Sequence, residues 1–137
     1  MVYALDTNIV IHYLKNTSNV LNNINAAVAR GDNLVIPRIV NYEIKRGFCV
    51  QSSPRKEATY KLFTSPTSFC SITDMDNGSL ERAEQVFADL YNKRLTVGEL
   101  DILIAAFCLE NDYTLVTNNT KDFENIDGLV IEDWVNM

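Results

Sequence analysis

Apolar residues recur along the chain in two alternating rhythms. Short β-prone runs occupy Val2–Asp6, Leu34–Pro37, Phe69–Ile72, Thr114–Thr117 and Leu129–Ile131, and polar or turn-forming residues follow most of them. Between these runs the apolar positions fall at intervals of three and four. Ile9–Leu14 fits a short helix, and Val20, Leu21, Ile24, Ala27 and Val28 fit a second, stopped by Gly31 and Asp32. Ile39, Val40 and Ile44 mark a third that ends near Gly47. Pro54 opens a further helical stretch through Leu62, and Leu80, Ala83, Val86, Phe87 and Leu90 form an amphipathic stripe. Leu100–Leu109 is apolar on almost every side, which predicts a buried helix. Strands alternating with helices predict an α/β fold. We expect a single domain over residues 1–137, with a mostly parallel central sheet of about five strands flanked by helices.

Composition agrees and narrows the chemistry. At 137 residues, 47% apolar and 22% charged, the chain can bury one ordinary core, so wholesale disorder is excluded. Twelve Lys and Arg against eighteen Asp and Glu leave a net charge of −6. That balance disfavours nucleic-acid binding by bulk charge, but it leaves room for a nuclease whose positive charge comes from metal and a few local cations. Cys49, Cys70 and Cys108 are odd in number and widely spaced, which predicts a reducing cytoplasm and neither a disulfide framework nor a cysteine-rich zinc site. No apolar run approaches membrane-spanning length, and the N-terminus lacks the basic start of a secretory signal. The five glycines form neither a dinucleotide fingerprint nor a P-loop.

Parallel sheets gather ligands beyond the carboxyl ends of their strands. Asp6 ends the first strand, and Asn119 and Asp122 follow the fourth. Glu43 lies among largely apolar neighbours on a helix. Asp101 shares a helical face with Ile104, Ala105 and Cys108, where an isolated carboxylate is costly unless paired, protonated or bound to a cation. Each acid also has a plainer reading. Asp6 and Asp122 can cap helices, Glu43 can pair with Lys45, Arg46 or Arg38, and Asp101 can complement a helix dipole. Taken together, converging carboxylates without His or Cys nearby point to Mg²⁺, with Mn²⁺ as an alternative, rather than zinc. His12 is the sole histidine, so paired-histidine ribonuclease chemistry is excluded. Tyr3, Tyr13, Tyr42, Phe48 and Phe107 are assigned to core or interface.

Four segments carry a family resemblance: LDTNIVIHYL at 5–14, IPRIVNYEIKRG at 36–47, GELDILIAAFCLEND at 98–112 and LVTNNTKDFENIDGLVIEDW at 115–134. In this order they resemble the PIN-domain ribonucleases, and among them the VapC-type toxins of toxin–antitoxin pairs. Residues 50–93 match only in helical character. The resemblance implies a metal-dependent endoribonuclease in which Asp6, Glu43 and Asp101 form the acidic core, with Asp6 and Asp101 as metal ligands. Asp122 or Asn119 would supply a fourth position. Thr7, Asn8 and Thr117 would orient carboxylates or water, with Glu99 in reserve. One or two Mg²⁺ ions would hold an RNA phosphate and acidify a water. Lys15, Arg38, Lys45, Arg46 and Lys121 become candidates for holding the RNA backbone. The implied partners are RNA (transfer RNA being one candidate), a VapB-type antitoxin and a second copy in a homodimer, with the apolar surface of the first helices as a candidate interface.

Two other readings were weighed against this one. A phosphoacceptor receiver domain would use Asp74 or Asp76, but Asp6-Thr7-Asn8 supplies only one acid and no Lys follows the fifth strand. A non-catalytic antitoxin-binding module of the same fold would have no need of the acids.

Overall fold

Strand β1 (Val2–Leu5) is buried from Tyr3 onward, so it needs a neighbour on each edge and a layer on each face. In the computed structural model, which describes residues 1–137, it has both. β2 (Asn33–Pro37) and β4 (Thr114–Val116) flank it, β3 (Cys70–Thr73) lies outside β2, and β5 (Ile131–Glu132) lies outside β4. The order is β3-β2-β1-β4-β5, and every pairing is parallel. The chain therefore winds outward from β1 in two directions, and the crevice between the carboxyl ends of β1 and β4 is the switch point where such sheets hold ligands.

Seven helices cover the sheet: α1 (Thr7–Leu14), α2 (Ser18–Ala29), α3 (Arg38–Val50), α4 (Pro54–Phe63), α5 (Asn77–Asn92), α6 (Glu99–Asn111) and α7 (Thr120–Phe123). The sheet and helices share one apolar core of 31 buried residues. The sequence expectation for α6 holds: Ile102, Ile104, Ala105, Ala106, Phe107 and Cys108 are all buried, and α5 packs along it. Asp112 ends this helix in the left-handed region at φ 57°, where a short polar side chain is tolerated. Trp134 is 1% exposed and packs edge-on against Tyr3 at 5.0 Å, fastening the last residues to the first strand. No helix is long and apolar enough to cross a membrane.

Two expectations change and one narrows. Helix α3 does not stop near Gly47 but runs to Val50. A β-carbon at Gly47 would meet nothing within 4 Å, so the glycine marks open space rather than a turn. The last strand occupies Ile131–Glu132 rather than Leu129–Ile131. The Leu129 amide turns back to the Ile126 carbonyl beside Gly128, whose φ is 82°, and pairing with β4 starts only at the Val130 carbonyl. Of the aromatics assigned to core or interface, Tyr42 is not in this chain's core: it is 54% exposed, with the Arg46 guanidinium 5.1 Å above its ring.

Candidate active site

Asp6 follows β1 and caps α1 with extended backbone geometry, φ −76° and ψ 163°. The capping role foreseen as the plain reading is real: Oδ1 accepts from the Thr7 amide at 2.8 Å. It is not the whole role. Asp6 is 3% exposed, and its other oxygen accepts from Thr117 Oγ1 at 2.8 Å and Asn8 Nδ2 at 3.0 Å. Burial, the largest influence, pushes this carboxyl up, and the nearby charge of Glu43 adds to that. The hydrogen bonds from Thr117, Thr7 and Asn8 pull it back.

Asn8 ties the β1 and β4 ends together. Its amide nitrogen also reaches Thr117 Oγ1 at 3.2 Å, and its oxygen accepts from the Asn118 amide at 2.8 Å. Thr117 Oγ1 in turn accepts from the Asn119 amide at 3.1 Å. On the other flank Thr7 Oγ1 donates to Glu43 Oε1 at 2.9 Å, which fixes an acid of α3 against the start of α1. Thr7, Asn8 and Thr117 thus each donate a side-chain hydrogen bond to a carboxylate of the crevice.

Asp101 stands in the first turn of α6, half-buried. Its carboxyl is pushed up to about 6, first by burial and then by the charges of Asp6, Asp122 and Glu43. All four influences act in one direction, so Asp6, Asp122 and Glu43 each add to the negative field at Asp101. Asp122, exposed on α7, belongs to this set. Asn119 contributes its backbone amide to the network.

The remaining candidates lie elsewhere. Glu99 lines a separate cavity with Leu80, Phe87 and Ile102. Arg38 pairs with Asp74 at 2.6 Å. Lys45 is two residues beyond Glu43, on the opposite side of α3, and lines a cavity with Glu57, Tyr60 and Lys61. Lys15, Arg46 and Lys121 are exposed. His12 bonds Thr17 Oγ1 at 2.9 Å, as a helix-packing residue would. The receiver reading fails here: Asp74 is held by Arg38, and Asp76 caps α5 through the Ser79 amide at 2.9 Å.

The donor set suits a hard cation. It consists of carboxylate oxygens with excess negative charge and hydroxyl and amide groups behind them. No three His, Cys, Asp or Glu side chains are gathered tightly enough to enclose an ion outright. Oxygen donors of this kind match the ligand preference of Mg²⁺, which takes one or two carboxylates and keeps several waters, rather than the Cys and His preference of zinc.

One feature of this region was not legible in the sequence. A cavity of about 420 Å³ opens directly from Thr7 and Glu43, with Lys56 of α4 on its wall. Only the folding of α4 against α1 and α3 brings that lysine here.

A five-stranded parallel sheet with acids gathered at the β1/β4 crevice defines the class of protein. The chain belongs to the PIN-domain family, whose model matches residues 3–129. Within it the chain is similar to Ribonuclease VapC2 of Rickettsia felis, at 32% identity over 98% of both chains. It is also similar to the tRNA(fMet)-specific endonuclease VapC of Shigella flexneri, at 29% identity over 96% of this chain and 97% of that one. Among solved structures, the R. felis VapBC2 complex bound to a DNA fragment from its promoter contains a chain that superposes with a TM-score of 0.87. That match has 28% identity and covers 96% of this chain and 98% of the other.

Proposed function

We propose that this protein is a Mg²⁺-dependent endoribonuclease of the VapC type, a cytoplasmic toxin neutralised by a cognate VapB-type antitoxin. The observation that carries the reading is the shared field of Asp6, Glu43, Asp101 and Asp122 at the switch point, felt most at Asp101. Such crowding costs stability without a counter-ion, so it makes sense in a site that exists to capture one.

Asp6 and Asp101 would hold the ion. When bound, it supplies charge neutralisation for the RNA phosphate and a more acidic water than bulk solvent offers. The chain's own residues do the rest. Thr117, Asn8 and the Thr7 amide hold the Asp6 carboxylate in one orientation, so no reorganisation is needed on binding. Thr7 holds Glu43 through one carboxylate oxygen, which leaves the second oxygen without a hydrogen bond from Thr7. Asp122, at the exposed rim, meets whatever enters first.

The relatives' names favour RNA as the substrate, with transfer RNA the first to try. The VapBC complexes among the structural neighbours favour an antitoxin partner, whose arginine would suit this acidic crevice. A homodimer belongs to the same proposal. Phe87 and Tyr91, exposed on α5 with rings 6.4 Å apart, give it a broader apolar face than α1, where Ile11 is the exposed apolar residue. The decisive experiment incubates purified protein with cellular RNA and maps cleavage sites, beside Asp101→Asn and with EDTA. Cleavage that needs Mg²⁺ and Asp101 supports the reading, and EDTA-resistant cleavage overturns it.

A further inference from the structure

The cavity that opens from the acidic crevice has an organisation of its own. Thr7 and Glu43 of the crevice share its lining with apolar Ile11 and Phe48 and with Ser53 and Lys56. Its volume of about 420 Å³ lies in the ordinary range for sites that take one small organic group. Three roomier cavities, of about 480 to 590 Å³, include none of the four acids in their walls. Lys56 is half-buried and belongs to none of the ion pairs in the molecule. What sets Lys56 apart is its place: it is the one cationic side chain in the wall of the cavity that also carries Glu43.

We infer that this cavity is a subsite for the nucleotide next to the cleaved bond of a single-stranded RNA, its phosphate meeting Lys56 and its base lying on Ile11 and Phe48. The inference rests on the nuclease reading and adds to it the place where the flanking nucleotide is held. The charge pattern selects the occupant. A strand whose reacting phosphate sits at the carboxylates carries its next phosphate one nucleotide away, where the acids no longer help and a lysine does. Single-stranded RNA splays its bases onto apolar and aromatic walls, with hydroxyl and amide groups reading their edges. Ser52, Ser53 and Gln51 supply such groups here.

Gly47 provides a clean test. It lines the cavity one turn beyond Glu43, and a β-carbon there meets nothing within 4 Å, so Gly47→Met fills the space without a backbone clash. Replacing a mid-helix glycine also favours folding, so lost binding would not reflect an unfolded chain. The full chain carrying Asp101→Asn is titrated with an end-labelled, mixed-sequence, short single-stranded RNA without divalent ions. Lys56→Gln should weaken binding about tenfold and lower the salt slope by about one, and Lys56→Arg should restore both. Gly47→Met should weaken binding about tenfold while raising the melting temperature. In the otherwise unaltered chain with Mg²⁺, both variants should act chiefly on KM, and Gly47→Met should alter the base preferred beside the cut. If the chain cuts RNA and these variants bind and cut like their parents, the subsite is overturned. Unchanged RNA binding with lost capture of a VapB-type carboxyl-terminal peptide would overturn it in favour of a peptide groove. If the chain cuts no RNA but still binds it through Lys56 and Gly47, the subsite stands and the nuclease reading falls.

Discussion

Thr117 donates its hydroxyl to Asp6 Oδ2 at 2.8 Å, joining two residues 111 positions apart at the ends of adjacent parallel strands. The same hydroxyl oxygen accepts from Asn8 and from the Asn119 amide, so one threonine orders both the acid and the loop after β4. Thr117→Val keeps the shape and removes the hydroxyl. Because Thr117 is fully buried, the donors left without an acceptor should cost about 1–3 kcal/mol in urea unfolding. Cleavage should fall about 10- to 100-fold through loss of carboxylate orientation.

Asp101 gives a pH signature to the metal-free protein. Its carboxyl is raised from the ordinary 3.8 to about 6, so between those values the folded chain holds a proton that the unfolded chain has lost. Stability from this group is therefore present at about pH 4, declines as pH rises through 6, and is not recovered above that. Asp101→Asn should flatten the decline and stabilise the apo protein at neutral pH by about 1 kcal/mol, allowing for solvent screening of a half-exposed group. It should also abolish cleavage. Calorimetry across the pH range together with an RNA assay checks both halves, and clear destabilisation by this variant would contradict the crowding described here.

Mg²⁺ should raise the melting temperature, because an ion bound only by the folded chain stabilises it by mass action, about 2.7 kcal/mol at a hundredfold excess over Kd. The shift should vanish in Asp6→Asn and Asp101→Asn and be reversed by EDTA. A melting temperature indifferent to Mg²⁺ in the unaltered chain would remove the metal site.

Glu99 and Asp122 separate the cluster from its surroundings. Glu99 lines the Phe87 cavity, so Glu99→Gln should leave cleavage unchanged. Asp122 adds to the field at Asp101, so Asp122→Asn should lower activity and bring the Asp101 carboxyl down towards its ordinary range. NMR titration of the Asp101 carboxyl carbon in the two variants reads the difference directly.

Much of this was legible in the sequence because it depends on local pattern. Alternating strand and helix periods specified the parallel sheet, and Asp101 stood out because a carboxylate on the face of Ile104, Ala105 and Cys108 contradicts its neighbours. Other features depend on contacts the sequence does not encode locally. Gly47 looked like a helix stop because glycine usually is one, yet Phe48 beyond it packs edge-on to Tyr60 at 6.2 Å and carries α3 onward. For Tyr42 the sequence left core and interface open, and its exposed place on α3 under Arg46 removes the core alternative. Lys56 drew no notice because nothing nearby in the chain marks it, and its position comes from how α4 folds back. The strand boundary at Leu129 was missed because a turn at Gly128 delays pairing.

The placement of β1 between β2 and β4 bears on how the molecule comes into being. Residue 6 leaves the ribosome first, yet its carboxylate gains its full set of donors only when residue 117 arrives beside it. A nascent chain short of that point has three of the four crevice acids, all but Asp122, and no finished crevice. If the assembled site attacks RNA, the messenger being translated is safe from its own product until residue 117 has been made and has paired with residue 6.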